Sequence, residues 1–391
     1  MTDQVVAGIG ASVDSDSFSA GVAAGSAAIA ALSGRPAALV VVYASATIDP
    51  HQLLAGVRSR SGAAQVVGAT SSGQFHRGEM TAPGAGVTVV ALSAGPYRFG
   101  VASVTDIDAD TFESGRALAR NARRAVGEPR RPDAAFVLLS DGLSADQATL
   151  LAGVHHVAGS TVPVVGGCAA DDRNMAQTLV FHNDSVLANG AVGMWIDSPR
   201  PLRVVVAHGW QPVGSPMLVT RSDGTTVTEI DGEPALEVLA RLLPERPITE
   251  TLRYGPGGNP PRSQAIGVIE PGGGTAIRGI YLDDADRIRT FSPLPPYSAI
   301  QVVTASADEL LGVVAQVAHD ALADRPDAGV ILSFSCVARL DVLGDDGAAE
   351  CRLFQEAARD VPTAGFYTYG EFARTHSVAG YHNATLVALA L

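Results

Sequence analysis

Gly68-Ala-Thr-Ser-Ser-Gly73-Gln74-Phe75 and Gly365-Phe-Tyr-Thr-Tyr-Gly370-Glu371-Phe372 share one pattern at identical spacing: glycine, four residues, glycine, an acid or its amide, then phenylalanine. Each follows a short apolar strand. A degenerate third copy lies between them, Val164-Val165-Gly166-Gly167-Cys168-Ala169-Ala170-Asp171-Asp172. Three copies of one motif point to three copies of one supersecondary unit. Glycine at a strand end permits positive φ or close approach of another group. Strand ends of open α/β sheets also border ligand crevices. The same glycines equally serve to turn the chain beneath a packed helix.

Outward from the motif, each unit reads as strand, helix, strand, helix, strand, hairpin and closing strand. The first runs through Val5–Ala11, Ser17–Leu32, Ala38–Tyr43, Pro50–Arg60, Gln65–Val67 and Gly86–Leu92. In the second the matching segments are Phe99–Val104, Asp110–Val126, Ala135–Leu139, Ala145–Val157, Val162–Val165 and Gly190–Ile196. The third is expected at Ile300–Thr304, Ala307–Ala323, Gly329–Phe334, Ala348–Arg359, Thr363–Gly365 and Ala384–Leu391. Near-continuous apolar runs such as Ala37–Tyr43 have the character of parallel strands covered on both faces. The expected fold class is therefore α/β, built of repeated β-α-β-α-β units with mostly parallel sheets. Residues 200–297 break the rhythm and predict a smaller β-rich α+β segment. There a meander spans Ser263–Phe291, and Gly255–Pro261 is a glycine- and proline-rich loop. The boundary is placed at Pro199-Arg200, dividing the chain into 1–199 (two units) and 200–391 (the β-rich segment 200–297, then the third unit 298–391).

Composition narrows the function. The chain has 391 residues, enough for roughly two to three domains at ~150 residues each. Its 27 basic residues are all arginine. Without lysine there is no P-loop, no kinase core and no Schiff-base chemistry. The net charge of −13 argues against a nucleic-acid partner. Aromatics are 5% of the chain, which suits close helix–sheet packing more than a large aromatic-lined cleft. Three cysteines, Cys168, Cys336 and Cys351, are the sparse, odd set of a reduced cytoplasmic protein. The opening Met1-Thr-Asp-Gln lacks a basic n-region, and Ala20–Leu32 is too short to span a bilayer, so no membrane partner is expected.

Several motifs carry a family resemblance. Val67-Gly68-x-Thr70-x2-Gly73, Leu139-Ser140-Asp141-Gly142 and Gly166-Gly167-Cys168 resemble the FIST N domain. Trp210-Gln-Pro-Val-Gly214, Ser335-Cys336-x2-Arg339, Gly365–Glu371 and Tyr381-His382-Asn383-Ala384-Thr385 resemble the FIST C domain. The resemblance implies a non-enzymatic intracellular sensory and signal-transduction module that binds a small ligand, with some members binding haem to sense nitric oxide. The chain departs from the family pattern at Ala69, often Cys, and at Gln74, often Glu. No output domain is visible, so the resemblance also implies a signalling partner protein; the oligomeric state is left open.

The candidate ligand contacts are Cys336, Arg339, Tyr367, Tyr369, Glu371, Asn383, Thr70 and Cys168. An Arg, a carboxylate, a phenol and an amide suit an amino-acid-like or other zwitterionic ligand, with Arg339 on its carboxylate and Glu371 on its ammonium. The same pair serves equally as an internal Arg339–Glu371 ion pair. For haem, the candidate axial ligands are His182, His208 and His382. An alternative of another class is a cysteine-dependent hydrolase or transferase using Cys336 or Cys168, with His382 or His156 as base. An assembly subunit pairing through a sheet edge at Thr385–Leu391 is a third reading.

Overall fold

The computed structural model describes residues 4–243, 264–270, 273–283, 285–374 and 380–391. The Gly255–Pro261 loop lies outside them. The described residues form three six-stranded sheets and a seven-stranded one. The six-stranded sheets follow one plan. In the first, Ala7–Ser12, Val87–Ser93, Ala37–Ser45 and Gln65–Ser71 lie side by side. The second repeats this order with Arg98–Thr105, Gly190–Ser198, Asp133–Ser140 and Val164–Cys168. The third uses Val204–Ala207, Leu386–Ala390, Ile331–Cys336 and Thr363–Thr368.

Three expectations are corrected here. The sheets are mixed and mainly antiparallel, and the parallel ladders among the described residues are one per six-stranded sheet. The apolar runs look parallel because they are covered on both faces, by helices outside and by the other sheets inside. Burial on two faces, not strand direction, sets such a pattern. Second, the third unit begins at Val204–Ala207; Ala299–Thr304 belongs to the seven-stranded sheet. Third, Leu386–Ala390 lies between two strands, so it offers no edge to another chain.

Helix pairs cover the outer faces. Ser17–Ala30 packs on Pro50–Ser61, and Thr111–Ala125 on Gln147–Ala158. Both pairs cross through facing glycines, Gly21 with Gly56 and Gly115 with Gly153. A Cβ at any of the four would come within 2.4 Å of the partner helix's backbone oxygen. Aspartates at 16, 49, 110 and 146 cap these four helices. The third pair is Val314–Leu322 with Gly347–Ala358. The inner faces of the three sheets meet in one core, where Val41, Val67, Val137, Val165, Leu332 and Phe366 are all buried.

Each unit also extends a two-stranded arm into a neighbour's sheet. The first arm, Gln74–His76 with Glu79–Thr81, pairs with Thr363–Thr368 of the third unit. Val180–His182 with Ser185–Leu187, the second arm, pairs with Gln65–Ser71 of the first. Glu371–Arg374 with Tyr381–His382, the third, pairs with Val164–Cys168 of the second. The three units are thereby closed into a ring.

This ring explains the repeated motif. Phe181 lies opposite Gly68, Phe372 opposite Gly166 and Phe75 opposite Gly365. A Cβ on Gly68 would sit 2.9 Å from the Phe181 ring and 2.1 Å from the oxygen of Val42. On Gly365 it would sit 2.6 Å from Phe75 and 2.0 Å from the oxygen of Ser333. The glycines make room for an incoming phenylalanine and not for a ligand.

The seven-stranded sheet is inserted between the first strand of the third unit and its helices. Its strand Gln211–Asp223 pairs with Ala299–Thr304 over one half and with Thr226–Ile230 over the other. Gln264–Ile269, Thr275–Leu282 and Ile288–Thr290 complete a closed antiparallel barrel, and the seventh strand, Glu233–Pro234, pairs with Thr226–Ile230. Its interior is filled by Ile266, Ile280, Ile300 and Val302, with the helix Ala235–Leu242 packed on them through Val238 and Leu239. Its outer face carries Ala265, Ile277 and Val303 onto the third unit. No helix among the described residues is long and apolar enough to cross a membrane.

Candidate functional site

A cavity of about 510 Å³ opens where the barrel meets the second and third units. The second unit contributes the helix-entry loop Gly142–Gln147 together with Arg173 and Met175. From the third come the turn Cys336–Ala338, Asp341 and the arm residues Tyr369, Tyr381 and Asn383. The barrel supplies Tyr281 and Phe291, whose rings lie 4.9 Å apart, and Trp210 stands at the barrel's root. Among the described residues, an aromatic-poor chain has thus gathered five aromatic rings at one hollow, contrary to the expectation from composition.

Two hydrogen-bonded groups underlie the cavity's protein wall. Cys336 ends the strand Ile331–Cys336, and its Sγ accepts from the backbone N–H groups of Ala338 and Ala384. The Cys336 thiol itself donates to the carboxylate of Glu371. Glu371 is wholly buried and also accepts from Thr368 Oγ1, from Thr385 N at 3.1 Å and from Thr385 Oγ1 at 2.7 Å. Burial pushes its carboxyl up to about 7, against the lowering pull of these donors. Burial and the Glu371 charge together hold the Cys336 thiol well above its ordinary range.

The second group is a chain. Asn383 donates to the hydroxyl of Tyr381, which donates to Sγ of Cys168. Cys168 also lies 3.5 Å from Ser140 Oγ, and burial pushes its thiol up to about 12. This order of donors leaves Asn383 Oδ1 buried with no hydrogen-bond partner. Gly370 is needed here, because a Cβ would fall 2.3 Å from the Tyr381 hydroxyl. At the mouth, Arg173 of the second unit forms an ion pair with Asp341 of the third.

Of the residues singled out in the sequence, Cys336, Tyr369 and Asn383 line the cavity. Glu371 lies directly behind Cys336, and Cys168 behind Tyr381. Arg339 and Tyr367 stand apart. Arg339 is wholly buried and donates to Glu350 Oε1 from Nε at 2.9 Å and from Nη2 at 2.6 Å. It also donates to the carbonyls of His208 and Leu310 at 2.8 and 3.0 Å. The hydroxyl of Tyr367 donates to Glu350 at 2.9 Å. The internal ion pair therefore exists, with Glu350 and not Glu371, and it leaves no fork for a ligand carboxylate. Thr70 is buried between units, its Oγ1 accepting from Leu179 N at 3.0 Å.

The three candidate histidines do not fit a haem in this cavity, since none of them lines it. His182 Nδ1 is 2.8 Å from Ser103 Oγ, His208 Nδ1 accepts from Trp210 N at 2.9 Å, and His382 Nε2 is 3.2 Å from the Ala373 carbonyl. Burial lowers the pKa of all three, His382 to about 4. No cluster of three or more metal-ligating side chains occurs among the described residues.

Tyr381 was quoted in the sequence only as part of a motif, and Tyr281, Phe291, Arg173 and Asp341 were not singled out at all. The barrel rings carry no local signal, because the cavity side of their strands is defined only by packing against the other units.

Comparison with known proteins bears on this arrangement. The chain is 30% identical over 220 residues to an uncharacterized protein of Mycobacterium bovis, covering 53% of this chain and 55% of the relative. It is 28% identical over 234 residues to an uncharacterized protein of Mycobacterium tuberculosis, covering 56% and 57%. An uncharacterized protein of Methanocaldococcus jannaschii matches 85 residues at 28% identity, 22% of this chain and 17% of the relative. The matched region spans about half the length of the mycobacterial relatives. Residues 38–233 match the FIST N domain and residues 235–374 the FIST C domain. With both family models matched in order, the chain belongs to the FIST family, whose domains are generally of the sensory type.

Proposed function

We propose that the protein is a non-enzymatic receptor for a small molecule, and that the ligand occupies the cavity between the barrel and the ring. The observation that carries this reading is the cavity itself. At about 510 Å³ it falls within the range of ligand sites, with aromatic walls and a few convergent polar groups. Its walls come from three parts of the fold, so an occupant that prefers one packing of the barrel on the ring shifts the population toward it. That shift is the signal passed to a partner protein. A zwitterionic amino-acid-like ligand is disfavoured, because Arg339 is committed to Glu350, His208 and Leu310.

Native mass spectrometry of the full chain as purified tests this reading, together with thermal shifts against a metabolite library. A retained or added small molecule that raises the melting temperature is expected, with the effect lost in Ala338→Trp, which enlarges a side chain on the cavity wall. Stabilising ligands that act equally on wild type and Ala338→Trp would count against it.

A second reading rests on the Cys336–Glu371 contact. A thiol on a cavity wall, facing two backbone N–H groups and a carboxylate able to take its proton, is the arrangement of a cysteine nucleophile. Time-dependent labelling of Cys336 by an acyl ester, abolished in Glu371→Gln, is what this reading requires.

A further inference from the structure

Three arginines are buried among the described residues: Arg278, Arg325 and Arg339, at 8%, 5% and 0% exposure. Two of them face a carboxylate. Arg339 meets Glu350 at 2.6 Å, and Arg325 meets Asp327 at 3.8 Å. Arg278 differs. Its Nη1 donates to the carbonyls of Ile277 at 3.0 Å and Tyr381 at 3.2 Å, tying the barrel strand Thr275–Leu282 to the third arm. Among the described residues no carboxylate pairs with it, and Glu270, whose charge it feels, lies too far for an ion pair. Two carbonyls satisfy hydrogen bonds but do not cancel a charge, and a buried cation without a counter-charge is costly.

Two histidines lie beside it. His382 directly follows Tyr381, and both Arg278 and His208 bear on its ring. His208 is held at this seam because Trp210 donates its Nε1 to the carbonyl of Ala384 at 2.9 Å. His208 Nδ1 accepts from Trp210 N at 2.9 Å, so its ring hydrogen is on Nε2. His382 Nε2 donates to the Ala373 carbonyl at 3.2 Å, so its Nδ1 keeps a lone pair, and burial keeps this ring uncharged at neutral pH. Arg278 Nη2, His208 Nε2 and His382 Nδ1 have no partner among the described residues, and none of the three is sealed from solvent. The seam is separate from the cavity: Tyr381 and Asn383 line the cavity, whereas His382 between them does not, nor does Arg278.

We propose that this seam is a phosphate-binding site distinct from the cavity, with Arg278 Nη2 and His208 Nε2 donating to phosphate oxygens and His382 Nδ1 accepting the proton that the group retains. Guanidinium donors suit phosphate oxygens, and the charge of Arg278 gains the counter-charge that the fold does not supply. Inorganic phosphate carries a proton at neutral pH and acetate does not, so the lone pair on His382 favours phosphate. A chain of net charge −13 has no general attraction for anions, so binding here reports the local donors. The site does not depend on what fills the cavity.

Calorimetric titration of the full chain at neutral pH and constant ionic strength tests this, with inorganic phosphate, phenyl phosphate and acetate as probes and chloride as the background ion. Saturable binding of inorganic phosphate is expected, with acetate about tenfold weaker or more. Arg278→Met should lose the phosphate binding. Glu270→Gln removes the acid that Arg278 feels and should tighten it severalfold, which keeps the test decisive should Arg278→Met fail to fold. Tighter binding of phenyl phosphate than of inorganic phosphate supports the site as one for the phosphoryl end of a larger molecule, and the reverse order supports it as a site for the free ion. No saturable phosphate binding, acetate as tight as phosphate, or phosphate affinity unchanged in a folded Arg278→Met or in Glu270→Gln overturns the proposal.

Discussion

Arg339 and Glu350 form a wholly buried ion pair that staples the two ends of the barrel insertion. The guanidinium that meets Glu350 at 2.6 Å also holds the carbonyl of His208, where the chain leaves the ring, and that of Leu310, where it has returned. Removing one partner strands the other charge in the interior. Arg339→Ala is expected to cost about 3–5 kcal/mol of stability in denaturant unfolding. Adding Glu350→Leu to it should recover part of that loss, because the uncompensated carboxylate is then gone. A double variant as unstable as the sum of the single ones would contradict the ion pair.

Gly68→Ala and Gly365→Ala test the ring. Each added methyl falls about 2 Å from a backbone oxygen, and neither strand can give way without separating from its arm. A loss of at least ~1–3 kcal/mol is expected in each, as for other overpacked cores. Phe75→Ala and Phe181→Ala should cost about 3–5 kcal/mol by leaving voids over the same glycines. Wild-type unfolding midpoints in the glycine variants would mean that the arms do not seat as described.

The pH dependence of stability has an assigned source. Glu371 holds its proton up to about 7 in the folded protein, above its ordinary 4.5. The folded state therefore binds the proton more tightly, and this stabilisation, complete below 4.5, is lost as pH rises through about 7. Glu371→Gln should flatten that decline in melting temperature on the neutral side. His382 acts in the opposite sense, since burial holds its pKa at about 4, below its ordinary 6.5. Its contribution is present above 6.5 and is lost as pH falls toward 4. If the wild type and Glu371→Gln show parallel melting profiles from mildly acid to neutral pH, the carboxyl is not perturbed.

Of the three thiols, Cys336 alone borders the cavity, while Cys168 and Cys351 are enclosed. Burial keeps all three pKa values high, so each should alkylate more slowly than a solvent-exposed thiol. Iodoacetamide labelling read by peptide mass is expected to reach Cys336 first. Faster labelling of Cys168 or Cys351 would show that access comes by global opening and not through the cavity.

Much of the architecture was legible from local pattern. The repeated Gly-x4-Gly-x-Phe motif marked equivalent places in the first and third units, and the segments Asp110–Val126 and Ala145–Val157 fell on the two helices of the second unit. Strand direction and the exchange of arms were not legible. The apolar run Ala37–Tyr43 reports only that both faces are covered, and the pairing of Phe75 with Gly365 joins residues from opposite ends of the chain. The cavity was half legible for the same reason. Cys336 and Asn383 lie in recognisable motifs, but Tyr281 and Phe291 become wall residues only once the barrel is docked. Arg339 was misread because its partner, Glu350, lies on a different helix, whereas Glu371 carried the more conspicuous motif.

The borrowed arms have an implication for dissection of the chain. A fragment ending near Pro199 would keep the edge of Val164–Cys168 that Glu371–Arg374 ordinarily covers, and would carry the Gln74–Thr81 arm with no acceptor. Such a half is sticky at both ends. It should oligomerise or precipitate by itself and regain a discrete size only when mixed with the complementary half, so the native protein is best regarded as a single interlocked knot of backbone rather than two beads on a string.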